Sequence, residues 1–461
     1  MSQLPIHELL PQIAQACQAS NQLILQAAPG AGKSTVVPLF LLQRLPGTGR
    51  IIMLEPRRLA ARNIALYLGQ QLNEPVGQQV GYRVRGEQKV SKTTRLEIVT
   101  EGILTRMLQQ DPELSGVDML IFDEFHERSL QADTALAFAL ESQAALRPDL
   151  KLLVMSATLD GLPLACLLPD AVQLSCQGRA YPVSYQYRPV NRQQPLTPQW
   201  GSVILEAVQQ EAGSLLVFLP GAGEIERLAE WLQIRVATDI HVLCLHGRLP
   251  FAQQQQAILP CPEGLRKIVL TTNVAETSLT IEGIRIVIDT GLERRSSFDL
   301  KSGVTRLETR QITKASATQR AGRAGRLEPG VCYRLWSEEQ QDRLEEQAPP
   351  EILRNDLASL LLESALWGSS PEELPFLDMP PAPALNVGRQ LLRWLEIFDE
   401  QNRLTDVGRA LARLPLDPAI ARMILAARHY GCLEEMLVIA AALSVQDPRE
   451  RPQEKQQAAD Q

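Results

Sequence analysis

Short apolar runs and longer amphipathic stretches alternate along the first third of the chain. Leu23-Ile24-Leu25-Gln26 is strand-like, as are Arg50 to Glu55, Leu96 to Thr100, Met119 to Phe122 and Lys151 to Met155. Residues 6–18 predict a short leading helix, and helical patterns such as Leu59 to Leu72 and Gly102 to Gln109 separate the strands. Such alternation predicts a parallel sheet wrapped by helices. A second series follows: Leu215 to Leu219, Ile240 to Leu245, Arg266 to Thr271 and Ile284 to Asp289. Polar and apolar residues then alternate from Leu292 to Ile312 around Lys301-Ser302-Gly303, which predicts a hairpin. Between the two series lie Gly178-Arg179-Ala180-Tyr181-Pro182-Val183 and a Gln/Pro-rich stretch, so a domain boundary is expected near residue 175. After about residue 345 the pattern turns helical, with prolines punctuating residues 371–383. From Gln446 onward the chain is polar and Gln-rich, and reads as a frayed end or an element cut short. No repeat of solenoid length is present.

Composition narrows this picture without deciding function. The 461 residues exceed a single core, and typical domains of about 100–200 residues would give three or four. Apolar content of 45% and charged content of 21% are those of an ordinary globular protein. No apolar run reaches about 18 residues, so no membrane contact is expected. The start, Met1-Ser2-Gln3-Leu4-Pro5, lacks a signal-peptide pattern. The seven scattered cysteines form no CxxC pair, which argues against a disulfide framework or a zinc site. A cytoplasmic protein is therefore expected. The net charge of −7 speaks to solubility more than to any local groove. Arginines nevertheless cluster at Arg57, Arg58 and Arg62, at Arg83 and Arg85, at Arg294 and Arg295, and at Arg320, Arg323 and Arg326. Each cluster alone reads equally well as a solvated patch.

Two segments carry sharper chemistry. Ala27-Ala28-Pro29-Gly30-Ala31-Gly32-Lys33-Ser34-Thr35 sits between a strand and a helical run, a P-loop pattern with Ala27 where the first glycine usually stands. Small residues let backbone amides curl around phosphate oxygens at a helix N-terminus. Gly30, Ala31, Gly32, Lys33, Ser34 and Thr35 are the expected contacts. Lys33 would reach the terminal phosphates, and the Ser34 hydroxyl would bind Mg²⁺. The second segment, Asp123-Glu124-Phe125-His126, closes the apolar run Met119 to Phe122. Carboxylates at the end of a buried strand face the ligand crevice of an open α/β sheet. Asp123 would hold Mg²⁺ and Glu124 would polarise an attacking water. A lone acidic pair would read as a helix-capping turn, but its company here favours the catalytic reading.

These residues resemble the DEAH-box helicases of superfamily 2, with Phe125 where that box usually has Ala. Further motifs of the family appear in order. Pro56-Arg57-Arg58-Leu59-Ala60-Ala61 resembles motif Ia, Val80 to Arg85 the hook-turn region, and Thr100-Glu101-Gly102 motif Ib. Ser156-Ala157-Thr158 resembles motif III, Leu216 to Gly221 motif IV, Thr271 to Ser278 motif V, and Gln319 to Arg326 motif VI.

The resemblance implies two tandem RecA-like α/β domains (1–175 and 176–345), a winged-helix domain (346–414) and the start of a helical ratchet bundle (415–461). Family members continue well beyond that point, so the chain is similar to a C-terminally truncated member. The implied activity is RNA-stimulated ATP hydrolysis driving 3′ to 5′ translocation and duplex unwinding. Gln319 would orient the water with Glu124, and Arg323 and Arg326 would stabilise the transition state from the second domain. Arg320 would be structural or linked to motif II. Arg57, Arg58, Arg85, Thr100, Gly102 and Thr272 would contact single-stranded RNA, with single-stranded DNA possible. His126, Ser156 and Thr158 would couple the ATP and RNA sites, His126 through motif VI or III. Each of the three also reads as an ordinary packed or strand-end residue.

The base pocket departs from the family. Tyr67 and Ile258 stand nearest the positions that usually hold an arginine and an aromatic, so weak selection among NTPs is expected. His246 reads as a strand-end packing residue. A monomer is expected, and the sequence specifies no protein partner. Two rival functions remain open: an ATPase that clamps RNA for partner proteins without unwinding it, and a helicase tracking DNA.

Overall fold

The computed structural model describes residues 4–44, 49–158, 163–178, 181–277, 281–326, 328–412, 414 and 416–444. Arg179 and Ala180, Ser278 of the motif V segment and the tail from Gln446 lie outside the described residues.

The first sheet has eight strands: β1 (Gln22–Ala27), β2 (Arg50–Leu54), β3 (Val80–Val84), β4 (Glu87–Lys89), β5 (Leu96–Val99), β6 (Val117–Phe122), β7 (Lys151–Ser156) and β8 (Val172–Cys176). Their order is β4-β3-β5-β2-β6-β7-β1-β8, parallel throughout except for the β3–β4 pair. Central strands read as continuous apolar runs because both faces are covered. Alternate residues point to one face. Leu23 and Leu25, Ile51 and Met53, Met119 and Ile121, and Leu153 and Met155 share a core with Ile13, Val37, Leu41, Ile64 and Leu68 of three helices. On the chain side of β6, helix Leu130–Ala145 is buried almost throughout, and its N-cap Ser129 accepts from the Ala132 amide at 3.1 Å.

The second sheet has six strands: β9 (Val183–Tyr187), β10 (Ser214–Phe218), β11 (Ile240–Leu245), β12 (Arg266–Thr271), β13 (Ile284–Asp289) and β16 (Gly330–Arg334). Their order is β11-β12-β10-β13-β16-β9, all parallel. One face packs Trp200 and Ile204 of helix Leu196–Gln210 and Ile225 and Leu228 of helix Ala222–Gln233. The other face, with Leu216, Phe218, Val269, Val287 and Cys332, packs Ala257, Ala321 and Ala324. Leu59 and Ala60 of the first lobe belong to this same cluster, so apolar burial joins the two lobes.

The expected hairpin is present as β14 (Leu292–Asp299) and β15 (Val304–Gln311), paired antiparallel from Leu292–Gln311 to Asp299–Val304. Asp299 closes its turn by accepting from the Ser302 hydroxyl at 2.7 Å, with Gly303 at φ +64°. At its base Gly291 adopts φ +70°, and a Cβ there would lie 2.6 Å from the Trp336 ring. Only glycine meets both demands.

Residues 1–355 and 374–379 form one compact unit; 356–373 and 380–461 form a second. Within the first unit, Arg128 binds Asp133 (3.0 and 3.1 Å) and Asp378 (2.6 Å), which ties segment 374–379 to the first lobe. The second unit is helical: Ala358–Trp367, Ala382–Trp394, Asp406–Ala412, Pro418–Tyr430 and Leu433–Ser444. A small antiparallel bridge, Phe398 to Leu404, stands between the second and third of these helices.

Candidate nucleotide site and nucleic-acid face

The P-loop leaves the end of β1 and enters helix Lys33–Arg44. Gly30 and Gly32 turn the loop with φ of +82° and +99°. A Cβ on Gly32 would come within 3.0 Å of Leu4 and 3.1 Å of Ile6, so the loop is also pressed from behind. Ala31 is buried, its amide donating to the Ala28 carbonyl at 3.1 Å, and the Thr35 amide donates to the Gly32 carbonyl at 3.2 Å.

Asp123 and Glu124 follow β6, separated from β1 by β7. Across that gap Lys33 Nζ donates to Glu124 Oε1 at 2.9 Å, with both side chains about 5% exposed. The Glu124 backbone is left-handed, φ 50° and ψ 35°, a conformation that costs a non-glycine residue on the order of 1–3 kcal/mol and is concentrated at functional sites. Glu124 N donates to Asp123 Oδ1 at 2.9 Å. Asp123 Oδ2 is buried with no protein partner among the described residues, and the Ser34 side chain lies near the same carboxyl group. A buried carboxylate oxygen left open beside a hydroxyl fits a hard cation with oxygen ligands.

Burial pushes the Asp123 carboxyl above the ordinary aspartate range, Lys33 opposing and Glu124 reinforcing the rise. Burial would raise Glu124 too, but Lys33, His126 and Arg323 hold it below the usual carboxylate range. Burial would lower Lys33, yet Glu124, Asp123 and Glu55 keep it above its ordinary value. Glu124 thus stays ionised among cations from both lobes.

The second lobe supplies those further cations. Arg323, 4% exposed, donates through Nε to the Glu276 carbonyl at 3.1 Å and through its terminal nitrogen to the carbonyls of Glu276 and Thr277. Burial and the neighbouring Arg326 push its pKa well down, while the Glu124 charge opposes the fall. Arg326 is lowered to about 10 by burial, again opposed by Glu124. Gln319 is half-buried on helix Lys314–Ala321 and makes no side-chain hydrogen bond among the described residues. Arg320 is held inside its own lobe, by Glu276 at 2.8 Å and Asp289 at 3.0 Å, above the Phe218 ring. Of its two expected settings, then, the structure gives the structural one.

His126 accepts from the Ala157 amide through Nδ1 at 3.3 Å, which connects the carboxylate loop to the end of β7. Its Nδ1 also lies 3.5 Å from Glu124 Oε2. Burial pushes the imidazole down, with Glu124 opposing, so Nδ1 is the acceptor of a neutral ring. Ser156 is buried and donates to the Thr158 carbonyl. Phe125 is 1% exposed and stands edge-on to Phe122, ring centroids 6.4 Å apart.

The residues expected to meet a strand divide into two groups. Arg58, Arg85 and Gly102 are exposed, and Thr100 is half-buried at the N-cap of helix Glu101–Gln110. Thr272, half-buried, lines a cavity of about 310 Å³ with Gly221, His246, Arg248 and Arg294. Arg57 is half-buried at the seam of the two lobes. It donates to Glu127 Oε1 at 3.1 Å and to the Asn273 carbonyl of the second lobe. Thr277 Oγ1 donates to the same Glu127 oxygen at 2.5 Å. Sequence reasoning gave Glu127 and Thr277 no role; the signal available was that Glu127 directly follows the acidic motif and Thr277 lies inside motif V. His246, read as a packing residue, is buried with Nδ1 unpartnered among the described residues.

A phosphate loop and acidic pair on one RecA-like lobe, with arginines delivered by a second, make up the architecture of the helicase class. The chain belongs to the DEAH/RHA helicases. Residues 8–164 match the DEAD/DEAH box helicase family, 201–328 the helicase conserved C-terminal domain, 389–416 the winged-helix part of the helicase associated domain HA2, and 417–461 its ratchet-like part. The chain is 49% identical over 444 residues to the ATP-dependent RNA helicase HrpB of Escherichia coli (strain K12), covering 96% of this chain and 55% of that protein. It is 40% identical over 472 residues to the ATP-dependent RNA helicase HrpA homolog of Haemophilus influenzae, covering 99% of this chain and 36% of the relative. The crystal structure of the Escherichia coli DEAH/RHA helicase HrpB superposes with a TM-score of 0.93 at 48% identity, covering 97% of this chain and 57% of that one. The chain thus spans about half the length of HrpB and about a third of that of the HrpA homolog. Among the described residues no helix is long and apolar enough to cross a membrane.

Proposed function

We propose that the chain is the motor part of an ATP-dependent RNA helicase, hydrolysing NTP in response to single-stranded RNA and using the cycle to move 3′ to 5′ and open duplexes. The observation that carries this reading is Glu124, which meets Lys33 from its own lobe and feels Arg323 and Arg326 from the other.

Phosphoryl transfer is mostly positioning and charge stabilisation. Backbone amides of Gly30 to Thr35 receive the phosphates at a helix N-terminus. Lys33 turns from Glu124 to the terminal phosphates, which frees the carboxylate to polarise water together with Gln319. Arg323 and Arg326 meet the charge that develops as the bond breaks. Ser34 and Asp123 would hold Mg²⁺, which would supply positive charge against the phosphates. His126, joined to Ala157, and the Ser156–Thr158 turn carry lobe movement between the nucleotide and the strand. Arg58, Arg85, Thr100, Gly102 and Thr272 contact the strand backbone, and Arg57 acts through the lobe seam. With Tyr67 exposed and Ile258 half-buried in the apolar cluster, neither specifies a base, so other NTPs serve beside ATP.

The test is the hydrolysis rate with single-stranded RNA, single-stranded DNA and neither, over a salt series, beside a strand-displacement assay. RNA should stimulate hydrolysis, and its binding should weaken steeply with salt because phosphate contacts dominate. No stimulation by RNA would overturn the reading. Equal stimulation by DNA would move the track to DNA, and stimulation without displacement would favour a clamp.

A further inference from the structure

Glu127 lies three residues beyond Glu124, in the single 3-10 turn Phe125–Glu127. That turn is short and stiff. Its flanking residues, Glu124 and Arg128, both have left-handed backbones, and the Glu127 amide donates to the Glu124 carbonyl at 2.9 Å. A pull on the Glu127 side chain is therefore delivered to the Glu124 backbone.

One oxygen of Glu127 takes two donors from opposite lobes. Arg57 reaches it at 3.1 Å from the first lobe, and Thr277 Oγ1 at 2.5 Å from the second. Thr277 is 7% exposed. Its carbonyl, with that of Glu276, accepts the Arg323 guanidinium. Arg57 also donates to the Asn273 carbonyl, four residues before Thr277. One continuous path thus runs from the Glu124 loop through Glu127 and Thr277 to the seat of Arg323. The neighbouring apolar contact of Leu59 and Ala60 with the second lobe shields it.

We infer that Glu127 and Thr277 are positioning residues: their hydrogen bond across the lobe seam sets the distance between the water-activating Glu124 and the charge-stabilising Arg323. Neither side chain needs to touch nucleotide. When the lobes part, the bond breaks and both catalytic groups lose their registration together. When they close, Arg57 holds the carboxylate oriented toward the incoming hydroxyl. The inference rests on the NTPase reading above.

Thr277→Val keeps the shape and removes the donor; Thr277→Ser keeps the donor. With RNA present, Thr277→Val should lower kcat about 10-fold or more, the scale of a lost hydrogen bond to a charged acceptor. The KM for ATP should change less than about 3-fold, because the phosphate loop is untouched. Thr277→Ser should recover most of the rate. Glu127→Ala should lower kcat similarly, and the double variant Glu127→Ala with Thr277→Val should be little worse than either single one, as for two ends of one interaction. A fluorophore pair on the two lobes should report less closure on ATP binding in Thr277→Val. Wild-type kcat in folded Thr277→Val, strictly multiplicative losses in the double variant, or unchanged closure would overturn the inference. Absence of RNA-stimulated hydrolysis in the unaltered chain would instead remove the NTPase reading itself.

Discussion

Lys33 and Glu124 form a buried ion pair, 2.9 Å from ammonium nitrogen to carboxylate oxygen, between the end of β1 and the end of β6. On the function proposed above, the pair joins the residue that would grip phosphate to the residue that would activate water. It keeps Glu124 ionised in a site whose burial would otherwise protonate it.

Separating these two residues should separate binding from chemistry. Glu124→Gln keeps its size and should still bind ATP with near-normal affinity, while kcat falls by about 10²–10⁴, the usual contribution of a general base. Lys33→Ala should lose both, since it removes the phosphate contact and leaves a buried carboxylate without its cation. Fluorescent-nucleotide titration and single-turnover hydrolysis would measure the two effects. Tight ATP binding by Lys33→Ala would contradict its role.

Arg326→Ala should reduce hydrolysis by about 10³–10⁵, the range of an arginine finger. Arg326→Lys should recover little of it, because an ammonium cannot reproduce the planar fork. Nucleotide affinity should change far less than the single-turnover rate. Equal losses in the two would place Arg326 in ground-state binding instead.

With Mg²⁺ limiting, the acid limb of the rate profile should lie above the ordinary aspartate range of about 4, because burial raises Asp123 and protons would compete with the metal for its carboxylate. Stability should run the opposite way. The protonated Asp123 contribution is complete below the unfolded value and is lost as pH rises through the higher folded value. Asp123→Asn should flatten that part of the stability profile while abolishing hydrolysis. Parallel pH–rate and pH–unfolding series would show whether the two trends oppose.

Phe125→Ala would restore the residue that the DEAH box usually carries, yet it should destabilise this chain. The ring is 1% exposed, stacks edge-on against Phe122 and lies 5.9 Å from the Arg128 guanidinium. Deleting a buried phenyl group costs about 3–5 kcal/mol. Denaturant unfolding would measure this, and a change below about 1 kcal/mol would show that the core collapses to fill the space.

Local pattern made the central strands legible. β1, β2, β6, β7, β10, β12 and β13 are apolar runs whose neighbours must cover both faces, and the phosphate loop and acidic pair follow β1 and β6. β8 and β9 carry little local signal because they are edge strands with no fully buried residue. Their pairing supplies what their composition lacks. The same holds for the seam. Arg57 stands in a basic motif, which on sequence grounds makes it a candidate strand contact. The structure adds partners that the motif does not announce: Glu127, 70 residues away, and Asn273, 216 residues away. The sequence by itself determined which residues could grip a triphosphate, since backbone turns and strand ends are set by neighbours in the chain. Only the tertiary structure decided that Glu127 would bridge Arg57 and Thr277, because a hydrogen bond between lobes depends on how two separately folded sheets bury their shared apolar face.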